Sequence, residues 1–240
     1  MSIEKLKSII EKNNNIVFFG GAGVSTESGI PDFRSAEGIY SKNTNQKFSP
    51  EEILSHSFFK RDTEEFFEFY RRNMIYANAK PNAAHIFLAE LERKGKLKAV
   101  ITQNIDGLHQ MAGSKNVLEL HGSIHRNYCE KCGKNYSLDY IIGSEDIPKC
   151  ENCRGIVRPD VVLYEEPLTM EIFEKAIGYI READVLIIGG TSLVVYPAAG
   201  LIRYYGGDKL ILINKSETQY DSEALLTFNK SIGEVLGSLL

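Results

Sequence analysis

The sequence predicts an α/β fold in which a parallel sheet carries most of the chain and a smaller module interrupts it. Short apolar runs such as "IVFF" (16–19) alternate with amphipathic helical patterns. This alternation is typical of strands buried on both faces by helices. Two stretches, about 35–80 and 123–160, break the alternation. The first is aromatic and helix-prone and the second holds all the cysteines, so together they predict the smaller module.

The elements of the main sheet follow one another in a regular order. Apolar residues at helical spacing predict a helix over 2–13, and Pro81 is expected to open a second one. Two more helices are predicted around 172–180 and 232–239. Strands are predicted over 16–19, 97–104, 116–122, 184–192 and 209–214.

Polar or glycine-rich residues end all five predicted strands. They are Gly20-Gly21-Ala22-Gly23, Gln103-Asn104-Ile105-Asp106, His121-Gly122, Gly189-Gly190-Thr191-Ser192 and Asn214. In open parallel sheets, ligands bind beyond the carboxyl ends of the strands. One such cluster would be explained by a turn, but five converging on one edge predict a binding site.

The first glycine cluster nearly matches a dinucleotide-binding fingerprint. Residues 21–26 read G-x-G-x-x-T, with Thr26 where the fingerprint has a third glycine. The acidic residue expected about 20 positions later is absent, because position 40 is tyrosine. The alternatives are therefore a tight turn, an altered dehydrogenase loop, or a nucleotide site built for another reaction.

The four cysteines have the spacing of a metal site. Cys129 and Cys132 form one C-x₂-C pair, and Cys150 and Cys153 form a second pair 17 residues later. Four thiolates close the coordination sphere of one Zn²⁺, so the ion is expected to be structural rather than catalytic. Chance pairs or transient disulfides are the alternative. Residues 126–154 hold five basic and five acidic side chains, which disfavours a nucleic-acid role for this segment.

Composition limits the partners. The chain has 240 residues, a net charge of −4 and a pI near 5.8, which gives no electrostatic footprint for nucleic acid or an anionic membrane. The first residues lack the apolar core of a signal peptide, and no apolar run reaches the roughly 20 residues of a membrane span. We expect a cytoplasmic protein that acts as a monomer.

Polar residues at two strand ends are candidates for chemistry. His121 is either a structural residue or a general base, since an imidazole titrates near neutral pH. Asn104 and Asp106 flank an isoleucine, so both side chains can face one way, or they stabilise a turn. His85 is expected to pack within or cap a helix, whereas His109 and His125 are near the site in sequence only.

These residues together resemble the sirtuins, the NAD-dependent protein deacylases. The resemblance rests on "GAGVSTESGIPDFR" (21–34), "TQNIDGLH" (102–109), "HG" (121–122), the four cysteines, "GGTSLVVYP" (189–197) and "ILIN" (211–214). It implies a Rossmann-like NAD-binding domain formed by residues 1–34, 81–122 and 161–240. It also implies a small domain formed by 35–80 and 123–160, which pairs a helical segment with a zinc ribbon. NAD and acyl-lysine would meet in the cleft between them.

The resemblance also implies roles for individual residues. His121 corresponds to the general base, with Asn104 as a second catalytic residue. Residues 28–34 would form a flap over the cofactor, and Phe33 would close over the nicotinamide end. NAD contacts are implied for Ala22, Thr26, Phe33, Arg34, Gln103, Ile105, Asp106, Thr191, Ser192, Asn214, Ser231 and Ile232. In this family NAD is a co-substrate: its nicotinamide leaves, and the acyl group of lysine is transferred to ADP-ribose.

Two departures from the family pattern bear on the substrate. The family's substrate segment usually reads Phe-Gly-Glu, where this chain has Tyr164-Glu165-Glu166. The change adds charge and removes flexibility, which leaves the peptide preference open. Sirtuins that prefer acidic acyl groups carry a Tyr-x-x-Arg pair, which aligns with Phe67 and Tyr70, although a one-residue gap would bring in Arg71. Without the arginine we expect acetyl or apolar acyl chains rather than succinyl.

The sequence thus predicts an NAD-dependent protein-lysine deacetylase with one structural zinc ion and acetylated proteins as substrates. Three alternatives stay open. The first is transfer of ADP-ribose to a protein side chain, and the second is deacylation of longer apolar acyl groups. The third is a non-catalytic NAD-sensing or zinc-dependent interaction module, which the intact His121 and Asn104 argue against.

Overall fold

A six-stranded parallel sheet forms the centre of the computed structural model, which describes residues 2–33, 35, 38–39 and 47–240. Its strands are β1 (Ile16–Gly20), β2 (Leu97–Thr102), β3 (Val117–Glu119), β7 (Val185–Gly189), β8 (Leu210–Ile213) and β9 (Leu226–Phe228). They lie side by side in the order β3-β2-β1-β7-β8-β9, and every pair is parallel. Counted along this sheet, the order is 3-2-1-4-5-6, the Rossmann order. The strand order reverses between β1 and β7, while the strands stay parallel, and such sheets bind ligands at this point.

Helices cover both faces of the sheet. Ile16 and Phe18 of β1 pack on one face against α1 (Ser2–Lys12), α5 (Ala83–Arg93) and α9 (Ile232–Gly237). Val17 and Phe19 point to the opposite core, which contains α8 (Met170–Glu182) and the 3₁₀ segment Ala198–Tyr204. The alternation follows from the two-residue period of a strand, and burial on both faces explains why β1 is continuously apolar.

The two interrupting stretches share a third core. The first contributes α2 (Pro50–Ile53), α3 (His56–Arg61) and α4 (Thr63–Asn73). The second contributes an antiparallel sheet of β4 (Gly122–Cys129), β5 (Asn135–Tyr136) and β6 (Val157–Val161). The short helix α7 (Leu138–Ile142) lies between β5 and β6 along the chain. Phenylalanines of α3 and α4 pack with Cys129, Cys150 and Ile141 in that core. The boundaries of the two domains stay a prediction.

The prediction of an α/β fold with a parallel sheet is confirmed, and several details differ from it. The sheet has a sixth strand, β9, which is short and half exposed and therefore carries little apolar signal. β3 ends at Glu119, so His121 does not end a strand but lies in the turn before β4. The helix expected to open at Pro81 begins at Ala83, because Asn82 caps it. A short helix, α6 (Leu108–Ala112), follows β2. Among the described residues, no helix is both long and apolar enough to cross a bilayer.

His85 is a buried capping residue. Its Nδ1 accepts a hydrogen bond from the backbone N–H of Asn82 at 3.2 Å, and the Asn82 side chain accepts one from the N–H of Ala84 at 3.0 Å. This is a reciprocal capping box. The His85 ring meets His109 edge-on, with ring centroids 4.7 Å apart. Burial lowers the pKa of His85 to about 4, and burial followed by the neighbouring imidazole lowers the pKa of His109 further. Both rings are therefore neutral at pH 7.

We expect His85 to make the folded state less stable as the pH falls from 6.5 towards 4. The unfolded chain takes up a proton at His85 near pH 6.5, whereas the folded chain does so only near pH 4, so protonation favours unfolding within that window. Between pH 7 and pH 5 the free energy of unfolding should fall by about 2 kcal/mol from His85 alone. Urea unfolding at both pH values measures this. His85→Gln keeps a capping-box side chain that does not titrate, so an unchanged pH dependence in that variant would contradict the assignment.

Candidate active site

A cleft of about 520 Å³ lies beyond the carboxyl ends of the central strands. It brings together thirteen of the fourteen catalytic and NAD-contact residues predicted from the sequence. They are Ala22, Thr26, Phe33, Gln103, Asn104, Ile105, Asp106, His121, Thr191, Ser192, Asn214, Ser231 and Ile232. Arg34, the remaining one, lies outside the described residues. His109 and His125 are not part of the lining, as expected.

The two glycine clusters form the floor of the cleft by close backbone approach. The N–H of Gly23 donates to the carbonyl of Gly190 at 2.8 Å. Gly190 has φ +61°, and a Cβ there would lie 2.3 Å from the backbone nitrogen of Val24. A Cβ on Gly23 would lie 2.7 Å from the Cα of Gly190. Only glycine fits at either position, because the two loops pack backbone against backbone. Both glycines line the cleft, as the glycines of a dinucleotide-binding turn do.

Ser25 links the glycine loop to the end of β2. Its Oγ donates to Asp106 Oδ2 at 2.6 Å and accepts from Asn104 Nδ2 at 3.0 Å. Both side chains therefore face the same way, as one of the two interpretations of this segment predicted. The other interpretation also holds, since the N–H of Leu108 donates to Asp106 Oδ1 at 2.9 Å and forms an Asx turn. Burial raises the pKa of Asp106, and the hydrogen bonds from Ser25 and Leu108 lower it in part.

His121 is held in one tautomer. Its Nδ1 lies 2.9 Å from the carbonyl oxygen of Gln103. Because a carbonyl only accepts, Nδ1 carries the proton and the lone pair is on Nε2. Burial lowers the pKa of His121, and the hydrogen bond to Gln103 raises it in part. His121 is therefore neutral at pH 7 and can accept a proton at Nε2.

A chain of hydrogen bonds crosses the cleft from β2 to β8. Gln103 Nε2 donates to Thr191 Oγ1 at 3.0 Å, and the N–H of Thr191 donates to Asn214 Oδ1 at 2.9 Å. Asn214 is buried, and its Nδ2 has no partner among the described residues. A buried donor is seldom left unpaired in the working state of a protein, so this amide points to a ligand.

The sequence analysis missed Ser25, which lines the cleft, and Glu27, which lies outside the lining but supports it. Glu27 accepts from the N–H of Gly233 at 2.7 Å and from Ser231 Oγ at 3.1 Å, and so fastens the glycine loop to the start of α9. Ser25 could have been found because it lies inside the glycine cluster. Glu27 carried no signal, since its partners lie 204 and 206 residues away.

The four cysteines come together as predicted. Their sulfur atoms all lie within 4.8 Å of one another, with Cys129 and Cys153 at 3.4 Å and Cys132 and Cys150 at 3.6 Å. Four sulfurs at 2.3 Å from one tetrahedral zinc would lie roughly 3.8 Å apart. Both pairs also share one pattern of backbone hydrogen bonds. The N–H of the first cysteine donates to the carbonyl five residues later, and the carbonyl of that cysteine accepts from the N–H four residues later. The set fits one structural Zn²⁺.

The helical segment contributes one of the two aligned acyl-pocket residues. Tyr70 lines the cleft, whereas Phe67 is buried and is not part of the lining. Arg71 turns away, because its guanidinium donates to the carbonyls of Ile141 and Asp146. The cleft therefore receives no arginine from the described residues of this segment.

The Sir2 family model matches residues 21–197. A protein named NAD-dependent protein deacetylase from Clostridium acetobutylicum is 64% identical over 239 residues, covering 99% of this chain and 98% of the relative. One of the same name from Cutibacterium acnes is 50% identical and covers 100% and 98%.

Solved structures agree. A structure described as Sir2 with a p53 peptide and NAD⁺ has a TM-score of 0.87 at 41% identity, covering 100% of this chain and 97% of the other. A variant Sir2 with a deacetylated p53 peptide and 3′-O-acetyl ADP-ribose has a TM-score of 0.89 at 40% identity, covering 98% and 96%.

The Rossmann-order sheet and its cleft define an α/β protein of the dinucleotide-binding class. The chain belongs to the Sir2 family.

Proposed function

We propose that this protein is an NAD-dependent protein-lysine deacetylase. It transfers the acetyl group of acetyl-lysine to ADP-ribose and releases nicotinamide. The observation that carries the proposal is a neutral His121, with Nε2 as its proton-accepting atom, in the same cleft as paired glycine loops and a buried carboxylate. The names of the relatives, and the peptide and NAD⁺ in a related structure, support it.

The donor set supports a dinucleotide in the cleft. We assign its adenosine end to Thr191, Ser192, Asn214, Ser231 and Ile232, since the unpaired Asn214 amide calls for an acceptor there. Ala22, Thr26 and Gln103 would lie along the phosphates and ribose, and Arg34 is assigned with them from the resemblance alone. Phe33, Ile105 and Asp106 would hold the nicotinamide. When bound, NAD supplies an electrophilic ribose carbon and a leaving group.

The polar cluster beside that position supports the first chemical step. Loss of nicotinamide leaves positive charge on the sugar, so fixed negative and dipolar groups lower the barrier. Asp106 and Asn104 are held in place by Ser25, and no reorganisation is needed as charge develops. Asn104 acts as the second catalytic residue by contributing its dipole beside the ribose.

His121 acts as the general base in a later step. Before this step the amide oxygen of acyl-lysine would bond to the ribose carbon as its bond to nicotinamide breaks. Nε2 would then take the proton of a ribose hydroxyl, whose oxygen bonds to the acyl carbon. With uptake of one water the acyl C–N bond breaks, and lysine leaves as the free amine. The hydrogen bond from Nδ1 to the Gln103 carbonyl fixes the ring orientation and stabilises the imidazolium that forms. No catalytic metal enters these steps, and the zinc ion of the four cysteines is structural.

The acyl end of the cleft favours uncharged chains. Tyr70, Leu54, Ile124 and Leu163 line the cleft, and we place the acyl chain against them. Arg71 donates to carbonyls elsewhere. An acyl carboxylate would find no bidentate cation there. We therefore propose acetyl or longer apolar acyl groups as substrates, rather than succinyl. We also propose that the enzyme is cytoplasmic, since the cysteines serve a metal instead of disulfides. With a net charge of −4, we propose that it binds neither nucleic acid nor an anionic membrane, and that it acts as a monomer.

A panel of acyl-lysine peptides with NAD, followed by mass spectrometry, tests the proposal. The expected result is nicotinamide, deacetylated peptide and acetyl-ADP-ribose in equal amounts, with acetyl and propionyl peptides turned over and succinyl peptide not. Mass added to protein as ADP-ribose would favour the transferase alternative. NAD binding without nicotinamide release would favour a sensing module.

A further inference from the structure

Glu165 occupies a backbone conformation that suits glycine. Its φ is +74°, and only two other non-glycine residues of the described chain, Arg154 and Leu193, have positive φ. A side chain in this region is unfavourable unless the surroundings enforce it. Glu165 lies in the segment where the family pattern has glycine, so the question is what holds it.

The Glu165 carboxylate is bound to the helical segment. Oε2 accepts from the backbone N–H of Ser57 at 2.9 Å, and Oε1 accepts from Ser57 Oγ at 2.9 Å. Ser57 lies in the first turn of α3, where backbone N–H groups have no partner within the helix. The two bonds join the strained turn to α3 and compensate for its conformation.

The neighbouring residues are fixed to the same region. Tyr164 exchanges backbone hydrogen bonds with Leu54 and His56, each at 3.0 Å. Glu166 accepts from Arg158 at 2.8 and 3.0 Å and lies 2.7 Å from His56 Nδ1. Burial raises the pKa of Glu166, but these partners outweigh it and lower the pKa to about 2. Residues 161–166 all line the cleft, and we call them the cleft wall.

We propose that Glu165 is a positioning residue that fixes the cleft wall against α3 and thereby sets the affinity for the acylated peptide. The inference rests on the proposed function, because it takes the peptide to bind along this wall. In this proposal the Glu165 carboxylate, which stands where the family has glycine, serves to bind Ser57 within the protein. Attraction of basic peptides by an exposed carboxylate is the competing explanation.

Four variants separate these effects. Glu165→Ala keeps the unfavourable φ and loses both bonds to Ser57, so the KM for acetyl peptide should rise about tenfold, which is within the range expected for the loss of charge-assisted hydrogen bonds. Glu165→Gly relieves the strain and should raise it less. Ser57→Ala keeps the Ser57 N–H and should also have a smaller effect. Glu165→Gln can still bond to Ser57 and should stay close to the unmodified protein. The KM for NAD and the kcat should change little in all four. The control is Glu171→Ala, which removes an exposed carboxylate on α8.

Hydrogen exchange of the Leu163 and Tyr164 amides, measured without substrates, tests the bond independently of activity. Exchange should accelerate in Glu165→Ala and not in Glu165→Gln. Unchanged exchange in Glu165→Ala would overturn the proposal, and so would a peptide KM that rises equally in Glu165→Gln, which would favour charge attraction. An unmodified protein that does not deacetylate would refute the proposed function instead, while the exchange result would still decide whether Glu165 fixes the wall.

Discussion

Replacement of His121 by alanine should lower deacetylation by about 10²- to 10⁴-fold, the usual contribution of a positioned general base. NAD affinity should change by less than a few fold, because the glycine loops and the Thr191–Asn214 contact do not depend on the imidazole. Steady-state kinetics with an acetyl peptide and calorimetric titration with NAD measure the two effects separately.

The pH profile provides a second readout of the same residue. Since a base acts in its neutral form, kcat/KM should rise as the pH rises through the pKa of His121, which burial places below its usual value. The residual activity of His121→Ala should not show this rise of kcat/KM with pH. His125→Ala is the matched control, because the His125 side chain lies outside the cleft lining and its Nε2 bonds to the backbone carbonyl of Asp106. Loss of NAD binding in His121→Ala would mean that the imidazole is structural.

Removal of the zinc ion should unfold the antiparallel sheet and inactivate the protein. Structural zinc contributes on the order of 10–16 kcal/mol in small zinc modules, which is comparable with the total stability of a typical domain. Cys129 and Cys150 belong to the third core together with Ile124, Val161 and Leu163 of the cleft. Loosening that core therefore disturbs the substrate side of the site as well.

Metal analysis should find one zinc ion per chain, and incubation with a strong chelator should remove it with loss of near-ultraviolet circular dichroism. Adding zinc back should restore the signal and the activity, whereas magnesium should not. Cys150→Ser should behave like the chelated protein. A demetallated protein that keeps its structure and its turnover would contradict the assignment of the four cysteines.

The elements and site residues that could be predicted from the sequence are those specified by residues close together along the chain. β1, β7 and β8 are continuous apolar runs because both faces are buried, and β2 is interrupted only by the exposed Lys98 before its polar end at Thr102. Polar residues follow at the carboxyl ends of these strands, where ligands of parallel sheets bind. The cysteine pairs are also local, since each is built within a few residues. By contrast, β9 and β5 are short and partly exposed. Ser25, Glu27 and the Glu165–Ser57 contact depend on partners far away along the chain, which periodicity does not report.

The long separations within the site have a consequence for how the protein folds. Ser25 and Asp106 are 81 residues apart, Gln103 and Thr191 are 88 apart, and Glu27 and Ser231 are 204 apart. Contacts of this kind form slowly, because closing a long loop costs conformational entropy before the contact contributes any stabilisation. During synthesis the edge of β1 that pairs with β7 has no partner until β7 has been made, and unpaired strand edges are prone to association. The binding cleft is therefore a late product of folding, assembled only when nearly the whole chain is in place.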